Sequence, residues 1–174
     1  MIDFKNIEYL KSGNKIQTEA YETLTKNKVL ESLAEFDPIL VGTIPINIAI
    51  ENSDLDIVCY WQNKSHFIER ITSLFKNKTN FKLSETFINQ EESVIGSFIL
   101  DDFEIEIFGQ NIPTQNQNGY RHMIIEHQIL QSRDENFRKE IIKLKQNGYK
   151  TEPAFGKLLG LEKDPYAELL NYKI

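Results

Sequence analysis

The stretch V-G-T-I-P-I-N-I-A-I-E-N-S-D-L-D-I-V-C-Y-W, Val41 to Trp61, decides how the rest of the chain is read. Asp54 and Asp56 stand one residue apart near its end, followed by Ile57, Val58, Cys59, Tyr60 and Trp61. Successive side chains of a strand point to opposite faces. A strand over 54–61 therefore turns both aspartates one way and Leu55, Ile57, Cys59 and Trp61 the other, into a core. Two carboxylates at that spacing on an open face suit a hard divalent cation. Upstream, Ile44, Ile46, Ile48 and Ile50 alternate with Pro45, Asn47, Ala49 and Glu51. This period of two predicts a strand, paired with 54–61 as a hairpin across the Glu51-Asn52-Ser53 turn. Pro45, lacking a donor, belongs at an edge or at that strand's start.

Outward from this stretch the pattern is mixed α and β. Residues 3–36 read as helical. Asp3 can cap a first turn, Asn14 and Gln17 form a capping-box pair, and Ile16, Ala20, Tyr21 and Leu24 keep helical spacing. Asp37-Pro38 ends that layer, since the α region is disfavoured before proline. Ile39 to Val41 is a short buried strand running into Gly42-Thr43. Lys64 to Lys76 is an amphipathic helix, and 80–88, 93–100 and 103–108 are strands, the last two joined by Asp101-Asp102. In the last strand Glu104 and Glu106 share the face opposite Phe103, Ile105 and Ile107. The polar loop 110–118 closes this part. Four helices are expected after it, over 118–131, 134–147, 151–159 and 164–172. Asp134, Thr151 and Asp164 are their N-cap candidates, and Gly148 and Gly160 their stops. The expected organisation is an N-terminal helical layer (1–36), an α/β core (37–110) and a C-terminal helical region (111–174), forming one unit of α+β class.

With 174 residues, 40% of them apolar, the chain can bury one substantial core. A net charge of −6 speaks against a general nucleic-acid surface. A single cysteine, Cys59, excludes an intramolecular disulfide. The N-terminus lacks a signal-peptide pattern, and no apolar run approaches the roughly 20 residues that span a bilayer. The expected location is a reducing cytoplasm. His66, His122 and His127 lack metalloprotease spacing and have no cysteine cluster beside them, which argues against a structural zinc site. Lys143 and Lys145 read as a charged helix face, and His127 as pointing to solvent.

Gly42-Thr43, then Ser53-Asp54-Leu55-Asp56-Ile57, then Phe103-Glu104-Ile105-Glu106-Ile107 resembles the nucleotidyltransferase superfamily, the polymerase-beta-like fold. Over nearly the whole chain, G-T-I-P-I, S-D-L-D-I, F-E-I-E-I-F-G-Q, Y-R-H-M and K-T-E-P-A-F look like a bacterial family of uncharacterised proteins within it. The resemblance implies a mixed sheet with packed helices. It also implies transfer of a nucleotidyl group from a nucleoside triphosphate to an acceptor hydroxyl, with Mg2+ or Mn2+ as cofactor. Asp54 and Asp56 would be metal ligands and catalytic residues, Glu106 the third carboxylate and Glu104 the second choice for it. Gly42, Thr43 and Ser53 would meet the nucleotide. Such chemistry needs these residue types: two ions about 3.5–4 Å apart, bridged by carboxylates, neutralise the phosphates and align the attacking and leaving oxygens.

Three positions depart from the pattern: Thr43 stands for serine, Glu106 for aspartate, and no Arg or Lys follows the Gly-Thr pair within 44–50. Positive charge for a triphosphate then has to come from elsewhere. Arg121 and His122 at one helix start and Lys150 at another are the candidates, since helix N-termini favour anions. The rival reading is a catalytically inactive binding or regulatory module on the same fold. A partner-binding protein with merely exposed acids is a third.

Overall fold

In the computed structural model of the protein, which describes residues 2–174, Leu55, Ile57 and Cys59 are fully buried on one face of a strand and Asp56 lies on the other. Met1, the first residue of the expected N-terminal layer, lies outside the described residues. A 3-10 turn (Glu8–Ser12) leads into α1 (Lys15–Lys26) and the short α2 (Val29–Ser32). Then come β1 (Ile39–Val41), β2 (Leu55–Tyr60), α3 (Lys64–Phe75), β3 (Thr79–Ile88), β4 (Glu91–Leu100) and β5 (Phe103–Gln110). The chain finishes with α4 (Asn118–Ser132), α5 (Glu135–Gln146), α6 (Thr151–Leu159) and α7 (Pro165–Leu169).

The strands form one mixed sheet in the order β1-β2-β5-β4-β3. Only the β2–β5 pair is parallel, and its register sets Asp56 opposite Glu106. Val41 is opposite Asp56 on the other side. One row across three strands thus carries Val41, Asp56 and Glu106, with Gly42 one step beyond.

Each face of the sheet has its own core. Leu55, Ile57, Ile105, Ile107, Val94 and Phe98 pack with Leu24, Phe67 and Ile71 from α1 and α3. On the other side Ile39, Val41 and Val58 pack with Met123, Ile129, Ile141 and Phe155 from α4, α5 and α6. The second core covers only part of its face, and the uncovered part holds the carboxylates.

The isoleucine run is not a strand. Residues 43–47 form tight turns and 48–50 have no regular structure, so the expected 44–50/54–61 hairpin does not exist. Both edges of β2 are already taken, one by β1 and the other by β5. The alternation has another cause: Ile44 enters the first core, whereas Ile46 and Ile48 enter the second. Backbone polar groups need partners when buried, and here they find them locally and from side chains. The amides of Asn47 and Ile48 donate to the carbonyls of Ile44 and Thr43 at 3.2 and 3.1 Å. Gln17 Nε2 donates to Ile44 O, Arg138 Nη1 to Ile46 O and Lys145 Nζ to Ile48 O, each at 2.8 Å. Pro45 accordingly sits in a turn, not at a sheet edge.

The helix signals fare better. The Asn14–Gln17 capping box forms in both directions, and Asp134 and Asp164 cap α5 and α7. Gly160 ends α6 in the left-handed region. Thr151 does not cap α6: Lys150 holds that position without a side-chain bond, and Thr151 is already helical. Lys145 is buried, not part of a solvent face, because α5 lays that side against the isoleucine loop. His127 is half-buried, edge-on to the Phe4 ring at 5.0 Å. No described helix is long and apolar enough to cross a membrane.

Candidate functional site

A cleft of about 740 Å3 opens between the carboxylate face of the sheet and the helices that follow it. Gly42, Thr43, Ser53, Asp54, Asp56 and Glu106 line its sheet side. Arg121, His122, Glu126, Lys145, Thr151 and Glu152 line the helical side. Glu104 and Lys150 are not among the lining residues, and both are exposed.

Gly42 is held at φ +83°, a conformation that L side chains rarely adopt. A Cβ there would stand 2.5 Å from Asp56 Oδ2. The Gly-Thr turn and the second aspartate therefore need each other's geometry: the carboxylate occupies space that only glycine leaves free. Ser53 closes the intervening loop. Its hydroxyl accepts from the Ile50 amide at 2.9 Å and from Thr43 Oγ1 at 3.3 Å. At the far end Gln117 is buried and donates to the carbonyls of Cys59 and Ile112, both at 2.8 Å, which fixes the start of α4 to the end of β2.

The acids strain against one another. Burial, then the charges of Asp54 and Glu106, push Asp56 up to about 8. Glu106 is raised by burial and by Asp54 and Glu104. Lys145 is brought down to about 8 by burial, an effect opposed by Glu126, Asp54 and Asp56. On the helical side burial raises Glu126 well above the usual carboxylate range, and Glu152 adds to it. Burial lowers His122, against the pull of Glu152. Charged groups removed from water either change protonation or require a counter-charge. The two cations in the cleft, Arg121 and Lys145, face six lining acids: Asp54, Asp56, Glu91, Glu106, Glu126 and Glu152.

Among the described residues, one set of three side chains brings its ligand atoms within 4.8 Å of one another: His122, Glu126 and Glu152. The trio Asp54, Asp56 and Glu106 is not such a set, so its carboxylates share a cleft without converging as tightly. Glu126, Glu152 and Lys145 are absent from the sequence candidates. His122 and Glu126 stand four apart, a spacing that puts both on one helix face, and this was the one local signal for the pair. Glu152 and Lys145 gave none, because their burial depends on how the last helices dock.

The family model described as a domain of unknown function (DUF4269) matches residues 22–172, a span that includes every residue named in the cleft. No curated protein matches the sequence. Solved structures similar in fold include Cid1, described for its RNA terminal uridylyl transferase activity, at TM-score 0.55 and 11% identity over 76% of this chain and 41% of that one. The polymerase core of TRAMP, an RNA surveillance complex, gives TM-score 0.54 and 14% identity over 94% and 50%. The GLD-2/RNP-8 complex gives 0.52 and 15% over 83% and 56%. The chain thus has the nucleotidyltransferase fold, and it spans about half the length of these neighbours.

Proposed function

The chain belongs to the DUF4269 family, and on that premise we propose that it is a metal-dependent nucleotidyltransferase, moving a nucleotidyl group from a nucleoside triphosphate to an acceptor hydroxyl. The observation that carries this reading is the meeting of Gly42, Thr43, Asp54, Asp56 and Glu106 in one cleft, with Asp56 seated in the space that Gly42 leaves.

Three mutually repelling carboxylates, Asp56 and Glu106 on adjacent strands and Asp54 just before the first of them, are a hard-oxygen donor set that fits Mg2+ or Mn2+. Asp54, Asp56 and Glu106 would hold the ions. Bound there, these neutralise phosphate charge and polarise the reacting oxygens. Gly42 and Thr43 lie where a phosphate approaches, the first by leaving backbone accessible and the second by its hydroxyl. Arg121 at the start of α4 meets the same ligand. Among the described residues its only side-chain hydrogen bond is to Asn118 Oδ1, at 3.2 Å. In the reaction the acceptor oxygen bonds to the α-phosphorus, the bond to the bridging oxygen breaks, and pyrophosphate leaves. Glu106 receives the hydroxyl proton. The net charge of −6 and the acidic cleft favour a small hydroxyl-bearing acceptor over a nucleic-acid strand.

Calorimetric titration with Mg2+ and each nucleoside triphosphate in turn tests this reading. Wild-type protein is expected to bind one of them, and the variant carrying Asp54→Ala and Asp56→Ala to bind at least about tenfold more weakly, a loss of roughly 1.4 kcal/mol. Equal affinity overturns it.

A second reading has its own observation. The loop at 44–50 carries no basic residue of its own, and Arg138 and Lys145 each direct a donor to its carbonyls. A binding module without catalysis follows from this, and it predicts metal-dependent nucleotide binding with no release of pyrophosphate.

A further inference from the structure

We propose that His122, Glu126 and Glu152 form a second cation site in the helical wall of the cleft, taking a divalent first-row transition-metal ion such as Zn2+ or Mn2+. His122 and Glu126 stand on one face of α4, and Glu152 comes from the first turn of α6. One ligand atom from each lies within 4.8 Å of the others.

The second observation is the lack of partners. His122 is 7% exposed and Glu126 3% exposed. His122 Nδ1 and Glu126 Oε1 are sealed from solvent without a hydrogen bond. Buried polar groups are nearly always satisfied, so each orphan calls for an explanation. Two plain ones fail. The three side chains do not satisfy one another: their ligand atoms lie within 4.8 Å, and no side-chain hydrogen bond or ion pair joins them. Lys145, the buried cation of the same cleft, donates to Ile48 O and makes no ion pair with either glutamate. An ion between the three satisfies both orphans and the two carboxylates together.

The donor set identifies the class of ion. Mg2+ and Ca2+ take oxygen ligands, whereas an imidazole beside carboxylates suits transition metals. Three protein ligands facing a cleft leave a coordination position open, as in catalytic sites and unlike closed structural ones. An ion here would bring positive charge to the cleft that the 44–50 loop lacks. That last role rests on the nucleotidyltransferase reading. The ion site does not.

The test uses chelator-treated full-length protein and Mn2+ as probe, read by electron spin-echo modulation and by calorimetry, with Zn2+ as competitor. Wild type is expected to bind Mn2+ with nitrogen coupling from the imidazole, and Zn2+ to displace it. The variant carrying Asp54→Asn and Asp56→Asn keeps this nitrogen-coupled ion, because the sheet carboxylates supply no nitrogen. Glu152→Gln, at a half-buried position that tolerates an isostere, weakens it at least tenfold. His122→Ala removes the coupling, and if that variant fails to fold, Glu152→Gln and the wild-type signal decide alone. Absence of nitrogen coupling in wild type overturns the proposal, as does unchanged affinity in Glu152→Gln or loss of the coupled ion in the aspartate double variant. Loss of triphosphate binding alone, with the coupled ion retained, bears on the sheet site and leaves this one standing.

Discussion

Asp56 concentrates the conflict in this protein. Its position opposite Glu106 and beside Asp54 makes it a ligand for a cation, and without one it holds a proton far above the ordinary aspartate range, to about 8. In the unfolded chain it releases that proton near 4. Between those values the folded state binds more protons than the unfolded, so stability falls as pH rises. The contribution is fully present below about pH 4 and lost as pH passes the folded value. Urea unfolding of chelator-treated protein at pH 5 and pH 9 should show wild type losing more stability on that rise than Asp56→Asn. Parallel loss in the two proteins would contradict this account. At this scale the Gly-Thr and Asp-x-Asp pairs are legible from sequence, because the glycine and the acid answer one local geometry. Lys145 is not. On an amphipathic helix a lysine reads as solvent-facing, and only the docking of α5 buries it beneath Ile48 O.

Elements were read correctly where the period and a cap agreed. α1 has its Asn14–Gln17 box, and β5 alternates buried Phe103, Ile105 and Ile107 with Glu104 and Glu106. The isoleucine run misled because a period of two measures only alternation of environment. Here the two environments are two different cores, and neither edge of β2 was left for pairing. Close approach of helix to sheet adds a constraint that periodicity does not carry. Gly109 of β5 faces the Phe67 ring of α3 so tightly that an added Cβ would overlap it, with Trp61 Cδ1 2.9 Å away on the same side. Overpacking a filled core costs typically 1–3 kcal/mol. Gly109→Ala is expected to lower unfolding stability by about 2 kcal/mol in urea titrations, whereas Gly148→Ala, which meets nothing within 4 Å but holds φ +89°, loses stability through backbone strain alone.

Across the whole molecule, the C-terminal helices complete the site that the sheet begins. α5 reaches back to the isoleucine loop through Arg138 and Lys145, and α4 and α6 bring His122, Glu126 and Glu152 to face the strand carboxylates. If α5 holds that loop in shape, Arg138→Ala should speed hydrogen exchange at the amides of Asn47 and Ile48, which bond to Ile44 O and Thr43 O, while leaving the amides of β4 unchanged. Equal exchange in both proteins would mean that the loop is held by its own turns. The sequence by itself determined the strand carrying Asp56, with Asp54 just before its start, the later strand carrying Glu106 and the helices on either side, because neighbouring residues along a strand or helix impose those patterns. Tertiary structure alone decided that Ile44 to Ile50 is not a strand, that Lys145 is buried and that Glu126 and Glu152 join His122. Those outcomes depend on which edge is already paired and which helix packs where, and no local spacing records either.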